Sequence, residues 1–172
     1  LSKLTIIIPT FYPGAIIKKC LSSLPSSSEI IIIDNGEDSE LEKIIKLHKL
    51  KIKHYKVGDI GLTKSFNIGL AKSKNENILI TQPDVCFNKN SIVNLLKAQK
   101  KYPNAGIISP LLFEKKKYSQ FDHLDLSLST LGNLKSTKRP KKISILPSGD
   151  TCVEAVPATA MLIKKSIIKK IN

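Results

Sequence analysis

Between residues 4 and 109 the chain alternates short apolar runs with stretches whose apolar positions recur every three or four residues. Leu4-Thr5-Ile6-Ile7-Ile8, closed by Pro9, is β-branched with no polar face, which predicts a strand buried on both sides, as in a parallel sheet. After Pro13-Gly14, residues Ile16, Ile17, Cys20, Leu21 and Leu24 fall at helical spacing over 15–24, and Pro25 stops them. A second strand over 29–33 ends in the turn signal Asp34-Asn35-Gly36. Leu41, Ile44, Ile45 and His48 mark the next helix, and 52–57 a third strand. Leu62, Phe66 and Leu70 recur every fourth residue and predict a helix whose apolar stripe they form. A strand over 77–81, a break at Gln82-Pro83-Asp84-Val85, a helix over 90–102 and a strand over 105–109 complete this stretch.

From 111 to 147 the periodicity fades into Ser, Thr, Lys and Pro, with short apolar pieces at Leu124, Leu126 and Leu128. That composition predicts a long loop. Strand-like segments at 151–156 and 160–164 and the opening of a helix at 166–171 follow. Alternating strands and helices predict right-handed βαβ units. The fold expected is α/β, a three-layer αβα sandwich with a mainly parallel central sheet. Residues 1–110 form its βαβ half; residues 111–172 form a further, loop-rich segment of the same domain. Ligands of such sheets lie in the crevice beyond the carboxyl ends of the strands. Asp34 and Asp84 each follow a strand and should both line that crevice.

Composition adds little to this frame but removes alternatives. No apolar run approaches the ~18 residues of a membrane span. No basic region precedes an apolar stretch at the N-terminus, so the chain reads as cytoplasmic. Cys20, Cys86 and Cys152 have no metal-ligand spacing and read as small buried hydrophobes in a reducing compartment. The net charge of +14 has three readings: lysine-rich coding bias, attraction to an anionic membrane face, and nucleic-acid binding. Arg139 is the only arginine, and readers of bases and phosphates favour arginine forks, so nucleic acid is not the expected partner. The densest basic patches are Lys115–Lys117 and Lys138–Lys142.

Asp34 could accept hydrogen bonds from a ribose or a base; it could equally form a turn or cap a helix. Asp84 could hold Mg²⁺ or Mn²⁺, since a bound diphosphate supplies most of the remaining oxygen ligands; it too could be a turn former. Gly61, Lys64 and Asn67 stand at the head of a helix, where lysine and backbone N–H groups can face phosphate. The segment is neither a P-loop nor a dinucleotide fingerprint. His48, His54 and His123 form no metal or catalytic pattern.

In order along the chain, Ile6-Ile7-Ile8-Pro9-Thr10-Phe11, Ile31-Ile32-Ile33-Asp34-Asn35-Gly36, Asn67-Ile68-Gly69, Thr81-Gln82-Pro83-Asp84-Val85 and Ala158-Thr159-Ala160-Met161-Leu162 resemble the motifs of the inverting family 2 glycosyltransferases with the GT-A fold, in their rhamnosyltransferase-like branch. The resemblance implies that Pro9, Thr10, Phe11 and Asp34 hold the nucleoside of a nucleotide-sugar donor such as dTDP-rhamnose or a UDP-sugar. Lys64 and Asn67 would lie near the diphosphate or sugar, and Asn35, Gly61, Gln82 and Pro83 complete the site. Asp84 would bind a divalent metal, Mg²⁺ or Mn²⁺. The acceptor would be a saccharide or lipid-linked saccharide of a bacterial cell envelope, with peripheral contact at the inner face of the cytoplasmic membrane. Gln82 stands where many relatives carry the first acid of Asp-x-Asp, Tyr12 where Asn is usual, and Pro157 where Gly is usual. The family's general base falls in a motif expected beyond Asn172. The 172 residues are thus expected to bind donor and to transfer sugar poorly; the competing expectation is a catalytically incomplete nucleotide-sugar-binding module.

Overall fold

The computed structural model describes residues 3–113, 126–128, 134–136 and 149–171. It divides into two compact units, one of Leu1–Ile108 with Ala158–Asn172 and one of Ser109–Pro157. The basic patches at 115–117 and 138–142, and His123, lie outside the described residues.

The first unit is built on a six-stranded sheet of β1 (Leu4–Thr10), β2 (Glu29–Asp34), β3 (Ile52–Lys56), β4 (Asn77–Thr81), β5 (Ile107–Ile108) and β8 (Ala160–Lys164), in the order β3-β2-β1-β4-β8-β5. β1, β2, β3 and β4 are mutually parallel, and β8 runs antiparallel to both β4 and β5. The mainly parallel α/β sheet expected from the alternation is therefore present. β5 is shorter than the 105–109 expected, because only Ile107 and Ile108 find a partner strand, in β8.

β1 is buried at every position, as its unbroken apolar run requires. Side chains alternate between the two faces. One face gathers Ile7, Ile31, Ile33, Ile78 and Ile80 beneath Phe66, Ile68 and Leu70 of α3 (Leu62–Lys72) and Ile168 of α5 (Lys165–Ile171). The other carries Ile6, Ile8, Ile30, Ile32 and Leu79, equally buried. The remaining helices α1 (Ile17–Ser22), α2 (Ser39–Leu47) and α4 (Ser91–Lys101) bury Ile17, Leu41 and Leu95 among others. A 3₁₀ turn over Gly14–Ile16 opens α1, so the helix expected over 15–24 is split and shorter.

α3 follows the stripe read in the sequence at Phe66 and Leu70, which pack on the sheet, and departs from it at Leu62. Leu62 is exposed, and the helix turns Ser65 and Gly69 into the interior instead. Gly69 is the reason: a Cβ there would collide with Ile7, so the absent side chain sets how closely the helix lies on the sheet.

In the second unit, β6 (Leu126–Leu128) and β7 (Leu134–Ser136) form an antiparallel ladder inside the segment expected to be loop. Conversely, 151–156 is not a strand. Only Ala155 makes an isolated bridge, and the rest of the segment is irregular, with Thr151, Cys152 and Glu154 exposed. Two cysteine expectations also fail: Cys20 is buried, whereas Cys86 and Cys152 are exposed, because both lie on irregular segments.

Candidate functional site

The strand order reverses beside β1. From β1 the chain moves to β2 and β3 on one side, then returns to β4 on the other. This is the switch point at which an open α/β sheet leaves a crevice beyond its strand ends. The residues that follow β1, β2 and β4 therefore share one rim. β2 and β4 flank β1, so their ends stand about 10 Å apart.

Asp34 closes β2 and is fully enclosed. Its Oδ1 accepts from the Gly36 N–H at 3.1 Å. Its Oδ2 accepts from the Asp38 N–H at 3.0 Å and meets His54 Nε2, also at 3.0 Å. Three of about four acceptor positions on the carboxylate are thus occupied by the protein. Asp34 acts here first as the organiser of the turn 34–38. His54 stands opposite Ile32 in β3, one diagonal step from Asp34 on the same sheet face, which brings the two side chains together. Reading the sequence assigned His54 no role; nothing local to either residue reveals a partner twenty positions away in another strand.

Asn35, also buried, joins three elements. Its backbone N–H and its Nδ2 both donate to the Thr10 carbonyl, at 2.9 and 3.1 Å. Its Oδ1 accepts from the Ser65 hydroxyl at 2.9 Å. The end of β1, the turn after β2 and the first turn of α3 are held in one arrangement by this side chain. Thr10 is buried with its hydroxyl toward the Ile33 carbonyl at 3.4 Å, and Pro9 is buried within β1.

Phe11 and Tyr12 leave the strand and stand in solvent, 59% and 63% exposed. Their rings meet edge to face, with centroids 4.9 Å apart and planes at 76°. Tyr12 has φ = 45°, a left-handed backbone that is an outlier for so bulky a residue. It costs about 1–2 kcal/mol. The Tyr12 ring lies over Gly36, where a Cβ would come within 3.1 Å of it. Sequence reading noted Tyr12 only as a departure; its backbone is set by the turn, which the residue type does not announce.

α3 begins at this rim. Gly61 is its N-cap, with φ = 79° and no side chain to cap the first turn, so the first N–H groups are left without a side-chain acceptor. Lys64 and Asn67 are exposed on this helix, so Asn67 is not a core amide. A helix N-terminus beside lysine favours an anion.

Beyond β4, Gln82 is tied back. Its N–H donates to the Thr159 carbonyl at 3.2 Å, and its own carbonyl accepts from the Val85 N–H at 3.3 Å and faces Cys20 Sγ at 3.7 Å. Burial, with smaller contributions from Cys86 and Asp84, pushes the Cys20 thiol up to about 12, so it stays protonated at neutral pH. Pro83 is half-buried, and Asp84 is exposed at the tip of this stretch. Among the described residues no three His, Cys, Asp or Glu side chains gather to hold a metal. A lone exposed carboxylate fits a hard cation that arrives with a diphosphate, and does not fit a cation retained by protein ligands alone.

The sequence pattern described as Glycosyl transferase family 2 matches residues 5–170. No curated protein matches significantly. Among solved structures, residues 1–349 of S. aureus TarS superpose with a TM-score of 0.61 at 17% identity, covering 98% of this chain and 49% of that one. The same segment in complex with UDP-GlcNAc gives 0.53 at 22% identity over 61% of this chain and 33% of that one. The mannosyltransferase PcManGT from Pyrobaculum calidifontis, in complex with GDP-Man and Mn²⁺, gives 0.57 at 17% identity over 67% of this chain and 37% of that one. The chain thus spans no more than half the length of these structures, and at such identities the likeness concerns the fold, which is GT-A-like.

Proposed function

Since the chain belongs to glycosyl transferase family 2, we propose that the rim at the β1–β4 switch point binds a nucleotide-diphosphate sugar. Within the whole protein, the sugar would pass to an acceptor hydroxyl with inversion. The observation that carries this reading is the meeting of four features at one crevice: exposed Phe11, the Asp34–Asn35 turn, the uncapped start of α3 and exposed Asp84. Phe11 and the turn form the nucleoside side, with Thr10 and Pro9 setting its floor. Gly61, Lys64 and Asn67 face the diphosphate or sugar. Gln82 and Pro83 place Asp84, which would hold Mg²⁺ or Mn²⁺. Such a cation supplies Lewis-acid neutralisation of the departing diphosphate. The nucleotide sugars named with TarS and with PcManGT, and the Mn²⁺ named with the latter, support the class of donor and cofactor. The donor proposed is dTDP-rhamnose or a UDP-sugar, and the acceptor a saccharide or lipid-linked saccharide of a bacterial envelope. The +14 charge supports peripheral contact with an anionic membrane.

A thermal-shift titration with UDP- and dTDP-sugars, with and without Mn²⁺, tests the reading. A ligand at about 100 times its Kd stabilises the folded state by about 2.7 kcal/mol. Asp84→Ala should abolish the Mn²⁺-dependent part of the shift and leave the melting temperature of the free protein unchanged. Mn²⁺ alone should give no shift in either form. Absence of any nucleotide-dependent shift in the parent protein would refute the reading.

A further inference from the structure

Where β4 starts, at the end away from Asp84, lies a cavity of about 190 Å³ lined by Asn77, Leu96, Gln99, Lys100, Pro103 and Lys164. Two elements build it. Asn77 and Lys164 stand opposite each other in the β4–β8 ladder. Leu96, Gln99 and Lys100 fall three and four positions apart on α4, so they share one helix face, and α4 packs against β8. β4 spans five residues, so Asn77 is roughly 13 Å along the strand from Thr81, after which Gln82 and Asp84 follow.

The polar groups of this cavity are unbalanced. Gln99 is 6% exposed, and among the described residues its side chain makes no hydrogen bond. A buried amide in that condition is costly and is seldom kept without a partner. Lys100 and Lys164 line the same cavity, no carboxylate lines it, and neither lysine has an ion pair among the described residues. The end of α4 accounts for part of this, since a helix C-terminus carries about half a negative charge. Two full positive charges exceed it, and Lys164 comes from a different element. An ordered water would satisfy the amide but bring no counter-charge, and the cavity has room for far more than one. An oxyanion with several acceptor oxygens suits all three groups, because the amide and both ammonium groups donate to it.

We propose that this cavity binds a phosphate group, as free phosphate or as a phosphomonoester, at a site separate from the donor crevice. The proposal does not depend on the nucleotide-sugar reading. Calorimetric titration of inorganic phosphate and of glycerol 3-phosphate tests it on the parent protein, Gln99→Leu, Lys164→Gln and Lys64→Gln. Gln99→Leu keeps the bulk of the side chain and removes the amide. It should weaken both ligands about tenfold and melt no lower than the parent, since an unpartnered polar group is lost. Lys164→Gln should weaken them to a similar extent. Lys64→Gln removes the same charge from the donor rim and should bind like the parent. Vesicles of phosphatidylcholine with phosphatidic acid present the same monoester on a lipid. Vesicle binding that Gln99→Leu loses assigns a headgroup; binding of the soluble ligands alone assigns a solute. A parent that binds neither the soluble ligands nor the vesicles would overturn the proposal, as would equal binding by Gln99→Leu and the parent. An equal loss in Lys64→Gln would place the phosphate in the donor crevice or make the effect one of overall charge, and a fall in the melting temperature of Gln99→Leu would make the amide a structural group; either result also overturns it.

Discussion

The two rims of the central sheet are built on different terms. At the rim where β1 and β2 begin, Glu29 is the hub. It accepts from the Thr5 hydroxyl at 2.5 Å, Lys53 Nζ at 2.5 Å and the Lys74 N–H at 3.0 Å, and Thr5 in turn accepts from Asn75 Nδ2 at 3.1 Å. No residue in that cluster has a left-handed backbone. At the opposite rim Tyr12 and Glu37 are both left-handed, two aromatic rings stand in solvent, and Asp84 is exposed. One end of the same strands is satisfied and unstrained, and the other keeps unmet surface. The difference teaches where this chain can be altered cheaply: stability is concentrated where β1 and β2 begin, and donor chemistry at the second rim. Asn35 is the exception, a structural joint placed among binding residues.

Substituting that joint is the most severe challenge to the division. Asn35→Ala removes the Nδ2 bond to Thr10 and the Ser65–Asn35 bond, while the Ser65 hydroxyl keeps the Gly61 carbonyl at 2.8 Å; the loss of two buried hydrogen bonds should cost about 2 kcal/mol and lower the urea midpoint accordingly. If the midpoint does not move, Asn35 is not a structural joint and the second rim has no such exception. Glu29→Gln sharpens the contrast from the other side. Burial opposes charge on Glu29, but the hydrogen bonds from Lys53, Thr5 and Lys74 outweigh it and hold the carboxyl below its ordinary range. A depressed carboxyl stabilises the fold above its unfolded pKa, and that contribution is lost as pH falls through the folded value. The substitution should therefore cost about 1–2 kcal/mol at neutral pH, and the gap between parent and variant should close as pH falls below the usual carboxylate range. A gap that persists at low pH would mean that packing, not charge, is at work. Lys56→Gln is the mildest case. Its ion pair with Glu42 is exposed, and exposed pairs contribute little. No change in melting temperature is expected; a measurable fall would show that the outer strand β3 relies on surface charge.

The sheet was largely legible because isoleucine runs such as Ile6–Ile8 and Ile30–Ile33 have one stable placement, buried on both faces. The shared rim of Asp34 and Asp84 followed from strand direction alone. What stayed hidden depends on diagonal or local geometry. The His54–Asp34 contact crosses two strands, the Tyr12 backbone answers to Gly36, and α3 seats itself by a missing side chain at Gly69 rather than by Leu62. The strand-like 151–156 misled because a strand-like composition carries no information about how long a partner edge lies near; only Ala155 makes a bridge.

The place of β8 has a consequence for biosynthesis. Among the described residues β5 bonds only to β8, and the whole of Ser109–Pro157 is made between them. At about 5–20 residues per second, β5 emerges from the ribosome seconds before its mate. Through that interval the isoleucine-rich flank of β4 is an open edge, which invites nascent-chain association or chaperone capture until translation delivers the closing strand.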